Sequence, residues 1–496
     1  MELQDKATCY RALQSRDARF DGLIYVGVKS TGIYCRPICP ARPPKLEHCL
    51  FVPSAAAAQA AGFRPCLRCR PEAAPELAVW RGTANTVARA LRLIDEGALD
   101  EGDVETLAGR LGVGGRHLRR LFKHHLGASP IVVAQTRRLL FAKALLADTA
   151  LPMTEVALAA GYGSLRRFND AMQRSWNRPP SALRRGAIKA APPGGGVTIK
   201  LPYQPPFDWA LQLGFLAPRC IPGVEAVEGD CYRRSIALDG RHGVVEVRPV
   251  AGANQLEATI RFPGVGSLGA IVHRLKRQFD LDADATAIGA QLSGDPLLAP
   301  LVAARPGLRV PGAWDPFELA VRAILGQQIS VAAATVLAGR VAALYGAPLV
   351  LEDGPPPAGL SHVFPAPALL VGADPGVLRI PRARAATIAG LAQALVREPD
   401  LLAPILPLDE SIRRLCLLPG IGPWTAQYVA MRALREPDAF PSGDLGLRKA
   451  AATEAGVPSI KELEARSAAW RPWRAYAAIH LWFSLSAASG GKAAGG

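Results

Sequence analysis

The sequence predicts a multidomain α+β chain: a small cysteine-centred α/β module, an all-α double helix-turn-helix, an antiparallel β-sheet domain with helices, and an all-α core built on a helical hairpin. Three observations carry that prediction. The chain has 496 residues, too many for one domain at about 100–200 residues each. Six of its nine cysteines fall within the first 69 residues. Beyond them the apolar spacing is helical, then alternating, then helical again.

The domains are expected at 1–75, 84–186, 198–310 and 311–486, with composition breaks at 72–83 and 187–197. The segment 72–83 (EAAPELAVWRGT) closes the cysteine module. The Pro- and Gly-rich stretch 187–197 (AIKAAPPGGGV) reads as a flexible linker, and 487–496 as a disordered tail. Alternation over Tyr232–Leu238, Gly243–Val250 and Leu256–Phe262 predicts strands. From Pro316 onward helical spacing returns, and no strict internal repeat is present.

Charge narrows the function classes. Hydrophobic residues make up 49% and charged residues 20%, and no apolar run is long enough for a bilayer crossing, which predicts a soluble chain with no membrane partner. The first twenty residues lack the apolar stretch of a secretory signal, so a cytoplasmic protein is expected. The net charge is +16, and residues 1–200 carry 30 basic against 16 acidic side chains. Such asymmetry points to a polyanion as partner of the amino-terminal part, above all nucleic acid, with simple solubility as the alternative.

Cys35-x3-Cys39 and Cys66-x2-Cys69 put four thiolates on two short loops, a donor set that suits tetrahedral zinc. Cys9 and Cys49 read as small apolar residues, and His48 is not needed to complete the shell. A purely structural zinc site is one reading. The segments VKSTGIYCRPICP (28–40) and AGFRPCLRCRP (61–71) resemble the amino-terminal domain of the Ada regulator family. That resemblance implies a second role, in which Cys35 accepts a methyl group from a methylphosphotriester of the DNA backbone. A zinc-bound thiolate is deprotonated yet nucleophilic, and removing one negative charge from the cluster would strengthen DNA binding.

Between 103 and 126 the sequence DVETLAGRLGVGGRHLRRLFKHHL sets Leu107, Leu111, Val113, Leu118, Leu121 and Phe122 on one face, with Gly112 at a tight turn. Arg116, His117, Arg119, Arg120 and Lys123 occupy the other sides. A second unit runs through Thr154–Ala160, a turn at 161–163, and a helix capped by Ser164 that exposes Arg166, Arg167 and Arg174. The stretch GYGSLRRFNDAMQRSWNRPPSALRR (161–185) resembles the double helix-turn-helix of AraC-family regulators. The resemblance implies promoter DNA as partner, with RNA polymerase as a further one. Helices of this kind read base edges in the major groove and grip phosphate.

The carboxy-terminal body holds LLPGIGPWTA (417–426), where Gly420 and Gly422 would let backbone N–H groups approach a phosphate. Asp444 follows in AFPSGDLGLRKA, just ahead of a predicted helix, where a lone aspartate would ordinarily be a helix cap. Hairpin plus downstream aspartate resembles the helix-hairpin-helix DNA glycosylases. YQPPFDWALQLGFL (203–216), ARPGLRVPGAWDPFELAVRAILGQQIS (304–330) and WRPWRAYAAIHLWF (470–483) extend the likeness to AlkA-type alkylpurine glycosylases. This implies Asp444 as the catalytic carboxylate and Trp424, Tyr428, Trp482 and Phe215 around the flipped base. Single aromatics at helical spacing are ordinarily core residues. An aromatic cleft would attract a cationic alkylpurine at about 0.5–2 kcal/mol per ring.

Departures from the family sharpen the expectation. Trp424 stands where bifunctional relatives carry an attacking lysine, which implies a monofunctional enzyme. Gln328 occupies the place of an intercalating leucine, and Gly443 that of a second acidic residue. No cysteine follows Cys416, so no iron–sulfur cluster is expected, and no PCHR motif is present for repair of O6-methylguanine. The resulting expectation is a methylation-activated regulator fused to a DNA-3-methyladenine glycosylase acting on alkylated double-stranded DNA. The alternative is a regulator whose glycosylase half only binds lesions.

Overall fold

The computed structural model describes residues 5–74, 85–100, 102–184, 195–352, 354–454 and 456–490. Most of the expected linker, 187–194, lies outside them. So does 491–496 of the expected tail, whereas the last helix, Arg474–Gly490, includes its first four positions. No helix among the described residues is long and apolar enough to cross a membrane. The chain divides into two compact units: Met1–Pro205 with Val247–Lys276 and Leu281–Ala283, and Pro206–Glu246 with Arg277–Asp280 and Asp284–Gly496.

The first unit opens with a four-stranded sheet in the order Cys49–Val52, Tyr25–Val28, Ile33–Cys35, Arg64–Pro65. The first three strands are antiparallel, and the short Arg64–Pro65 runs parallel to Ile33–Cys35. That last pairing matters for the cysteines. The Cys66 N–H donates to the Tyr34 carbonyl at 3.0 Å, so both cysteine loops start from the same sheet edge.

The double helix-turn-helix follows its sequence signals. Helix Val104–Arg110 is capped by Asp103, and Gly112 at φ +68° turns the chain into Gly115–Leu126. Helix Met153–Ala159 leads through Gly161, at φ +76°, into Leu165–Trp176, whose Ser164 cap accepts from the Arg167 N–H. Leu118, Phe122 and Leu126 in one unit, and Phe168, Met172 and Trp176 in the other, are buried at i, i+4, i+8. The 19-residue helix Pro130–Asp148 joins the two.

This joining helix is also fastened to the cysteine module. Gln59 Nε2 donates to the Tyr34 hydroxyl at 3.2 Å, and Thr136 Oγ1 donates to Gln59 Oε1 at 3.1 Å. Ser54 Oγ donates to the Leu126 carbonyl at 2.6 Å. Arg70, directly after the Cys69 ligand, pairs with Glu72 at 3.1 Å and Asp148 at 3.4 Å. Glu72 also meets Lys143 at 3.7 Å, and their side chains are only 2% and 3% exposed. Charges that deep are tolerated only when paired.

The second unit carries strand Glu225–Glu228 antiparallel to Cys231–Leu238, which neighbours Arg241–Pro249 in the sheet order. Strand Gln255–Arg261 in the first unit pairs with Val197–Pro202, which begins at the last residue of the expected linker. The rest of the second unit is helical. Helices Leu408–Cys416 and Pro423–Arg432 form the hairpin, followed by Leu445–Ala450 and Arg474–Gly490.

Two stability outcomes follow from buried polar groups. Lys143→Met leaves Glu72 with Arg70 alone, and the first thermal transition should fall by the equivalent of about 3 kcal/mol. His480 is buried, and burial, with Arg305 nearby, lowers its pKa to about 4. The unfolded imidazole titrates near ~6.5, so the neutral folded form contributes full stability above that pH and loses it as pH falls toward 4. His480→Leu should flatten the denaturant-midpoint decline between pH 7 and pH 5.

Candidate active site and metal centre

Asp444 sits where the chain leaves an extended segment and enters helix Leu445–Ala450. Its Oδ1 caps that helix by accepting the Leu447 N–H at 2.9 Å. The helix-cap reading is therefore correct as geometry, but it uses only part of the carboxylate. Oδ1 also accepts from the Trp482 indole at 3.0 Å, and Oδ2 accepts from the Trp424 indole at 2.9 Å. No arginine or lysine among the described residues lies within ion-pair distance of it. The group is thus a half-buried carboxylate, oriented by three neutral donors and not neutralised by a cation. A Cβ on Gly446 would lie 2.9 Å from Asp444 Oδ1 and 3.5 Å from the Trp482 ring, so a glycine is needed behind the carboxylate.

The carboxylate faces a cleft of about 550 Å³ that brings together Trp424, Tyr428, Trp482 and Phe215. Trp424 and Tyr428, one turn apart on Pro423–Arg432, stack at 5.3 Å with planes 9° apart. Trp482 meets Tyr428 edge-on at 6.2 Å. Three arginines also line the cleft: Arg219, Arg322 and Arg432. Arg219 lies 3.9 Å over the Phe215 ring, and Arg432 lies 4.9 Å from that ring and 5.4 Å from Tyr428. Not every ring is therefore free to attract a cationic base. The protein's own guanidiniums take up Phe215 and, through Arg432, part of Tyr428, and of these four rings the two tryptophans have no guanidinium over them among the described residues.

The hydroxyl of Tyr428 accepts from Arg432 Nη1 at 2.6 Å. Burial alone would raise its pKa, but Arg432 and Arg219 outweigh that and hold it below the ordinary phenol value. Arg322 is neutralised by Glu225 at 2.9 Å and Glu318 at 3.5 Å, and it also donates to the Arg219 carbonyl.

The hairpin turn is fixed by packing. Gly420 has φ +85°, and a Cβ there would fall 1.9 Å from Thr387 Oγ1. Its carbonyl accepts from Gln327 Nε2 at 3.0 Å, tethering the neighbouring turn to the hairpin. Gly422 has open space around it, as an approaching phosphate would require. Gln328 is exposed at the tip of that turn with φ +59°, beside exposed Ile329 and Val331.

In the first unit the sulfurs of Cys35, Cys39, Cys66 and Cys69 all lie within 4.8 Å of one another. Four converging thiolates fit zinc, whose tetrahedral shell they can fill. Arg36 clamps the two loops, donating to the Cys69 carbonyl at 3.1 Å and the Arg70 carbonyl at 3.3 Å while paired with buried Asp21. Cys39, Cys66 and Cys69 are buried, and their sulfurs accept backbone N–H groups of Ala41, Cys69 and Arg68, and Arg36 respectively. Cys35 is more exposed than the other three, and no backbone N–H among the described residues donates to its sulfur. On the two second helices, Arg116, Arg119, Arg120, Ser164, Arg166 and Arg167 are all exposed, with Arg119 held to Glu105 at 2.7 Å.

Three family models match the chain: the metal binding domain of Ada over residues 8–72, a helix-turn-helix domain over 107–186, and the AlkA N-terminal domain over 198–315. The probable bifunctional transcriptional activator/DNA repair enzyme AlkA of Mycobacterium tuberculosis is 42% identical over 486 residues, 97% of each chain. The chain belongs to this bifunctional AlkA family. Its two halves also match separate proteins. DNA-3-methyladenine glycosylase 2 of Escherichia coli is 36% identical across 57% of this bifunctional AlkA chain and 96% of its own. The Escherichia coli bifunctional transcriptional activator/DNA repair enzyme Ada is 37% identical across 25% of this chain and 36% of its own. The solved 3-methyladenine DNA-glycosylase from Archaeoglobus fulgidus has the same fold over 57% of this chain and 96% of its own, with TM-score 0.51 and 24% identity.

Sequence reasoning missed Arg219, Arg322 and Arg432. Arg432 was within reach, because it follows Trp424 and Tyr428 at i+8 and i+4 on one helix face. In this bifunctional AlkA chain, Gly446→Ala should leave the melting temperature nearly unchanged. Displacing the carboxylate should slow base release under single-turnover conditions by about tenfold to a hundredfold.

Proposed function

We propose that the second unit hydrolyses the N-glycosidic bond of alkylated purines such as 3-methyladenine and 7-methylguanine in double-stranded DNA. The observation that carries this reading is an un-neutralised carboxylate hung between two indole N–H groups at the wall of an aromatic cleft. An N-alkylated purine is already cationic, so its departure needs little acid. The enzyme has to extrude the nucleotide, stack the base and stabilise the sugar. Trp424, Tyr428 and Trp482 supply the stacking surface. Asp444 faces the positive charge that grows at the sugar as the C1′–N bond breaks, and it accepts a proton from the water that adds at C1′. The hairpin N–H groups beyond Gly420 and Gly422 take a backbone phosphate, and Gln328 enters the space left in the duplex. No lysine lines the cleft among the described residues, in keeping with a monofunctional reaction that leaves the strand intact.

In the first unit, Cys35 accepts a methyl group from a methylphosphotriester. Bound zinc would be held by Cys35, Cys39, Cys66 and Cys69 and would keep the sulfurs as thiolates. The Cys35 sulfur forms a bond to the methyl carbon as the carbon–oxygen bond breaks, and the electron pair stays on the phosphate oxygen. Its exposure, and the absence of a backbone N–H on its sulfur, favour it over the other three. The transfer lowers the negative charge near DNA and strengthens binding by the two recognition helices at a promoter, where RNA polymerase is recruited. A cytoplasmic location, where the DNA it acts on would be reached directly, goes with this reading.

Two measurements test the two halves. Asp444→Asn should lower release of free 3-methyladenine from methylated DNA by at least about a hundredfold while lesion binding persists; equal release by both proteins means the carboxylate has no catalytic part. Incubation with methylated DNA should add one methylene mass to the peptide containing Cys35 and none to that of the Cys35→Ser variant. An unmodified Cys35 peptide would leave the zinc site structural only.

A further inference from the structure

Arg219 is a positive charge without a carboxylate in a cleft otherwise expected to receive cations. Its Nη1 donates to the Phe215 carbonyl at 2.8 Å, one turn back, while the guanidinium plane lies 3.9 Å over the Phe215 ring. No aspartate or glutamate among the described residues lies within ion-pair distance of it. Neighbouring Arg322, by contrast, has both Glu225 and Glu318. Arg432 likewise has no carboxylate, but its donors are used on the carbonyls of Pro311 and Gly312 and the hydroxyl of Tyr428. Burial, with Arg432 and Arg322 close by, lowers the Arg219 pKa below the ordinary guanidinium value, although the Tyr428 hydroxyl, which it also contacts, partly offsets this. Arginine presents five N–H donors, so several on Arg219 are left for a ligand in the cleft.

We propose that Arg219 is a specificity-determining residue of the base pocket, which donates hydrogen bonds to the departing purine and thereby favours lesions that carry no positive charge. The proposal deepens the glycosylase reading and rests on it. When the C1′–N9 bond of an N7-alkylated purine breaks, the electron pair cancels the base's own charge and a neutral base leaves. When the same bond breaks in an uncharged purine, the pair leaves the base anionic, and a positively charged donor stabilises that product as it forms. Arg219 keeps its own proton throughout. Water adds at C1′, its proton passes to Asp444, and the departing base is finally protonated from solvent. A cationic base gains nothing from Arg219 and is repelled by it.

The test compares two duplexes that differ in base charge, one with a single N7-methyl-2′-deoxyguanosine and one with a single 2′-deoxyinosine. Single-turnover rates of base release are measured for the wild type, Arg219→Gln and Arg219→Lys. Arg219→Gln should slow release of hypoxanthine by about ten- to a hundredfold more than it slows release of 7-methylguanine, so that the ratio of the two rates shifts toward the cationic base. Arg219→Lys, which retains the charge, should recover part of the hypoxanthine rate. Equal losses on both substrates, with an unchanged melting temperature, overturn the proposal and make Arg219 a structural or phosphate contact. If the wild type releases 7-methylguanine but no hypoxanthine, the proposal fails while the glycosylase reading stands. If it releases neither base, that reading fails first.

Discussion

The second unit is organised around a carboxylate that neutral groups hold in place. Three donors converge on Asp444, the indoles of Trp424 and Trp482 and one helix N–H, and none of them brings a full positive charge. A guanidinium in their place would orient the group equally well but would cancel its charge. Neutral donors demand close geometry, so three helices must meet within hydrogen-bond reach. The glycine behind the carboxylate, the sterically forced Gly420, and the Gln327 amide that spans from turn to hairpin all serve that meeting.

Around this centre the positive charges are anchored mostly by carbonyl oxygens and rings. Arg432 is held by Pro311 and Gly312, and Arg219 by the Phe215 carbonyl and ring. Carbonyl oxygens satisfy the donors without removing the charge, so among the described residues the cleft lining keeps more positive charge than Asp444 offsets. Where full neutralisation occurs, at Arg322, it is supplied by Glu225 and Glu318 behind the cleft. The first unit uses charge differently. There buried pairs bind the segment just after Cys69 to the helix that joins the two recognition units. The four-cysteine centre and the two helix-turn-helix units thus share one packed body.

Local signals were legible in the sequence. The two cysteine pairs, the turns at Gly112 and Gly161, the Ser164 cap and the three central strands depend on residues close along the chain, and the structure has them within one or two positions. Asp444 was legible through its distance from the hairpin, although as a capping residue it looks ordinary. The buried cations were not legible. Arg432 and Lys143 take partners far away in sequence, and on a helical wheel each reads as a solvated charge, whereas Arg219 turns back onto Phe215 only four residues before it. The approach of Arg432 to the Phe215 ring was hidden for the same reason, and it alters which aromatic surfaces are open.

The tip of the turn next to the hairpin carries one more implication. Gln328 holds a left-handed backbone, a conformation that costs any side chain energy and costs a branched one most. The residue at this tip is therefore confined to an unbranched side chain or a compact one. Valine, isoleucine and threonine are shut out by the main chain alone. The choice of residue at position 328 is thus narrowed by its backbone before any contact it makes.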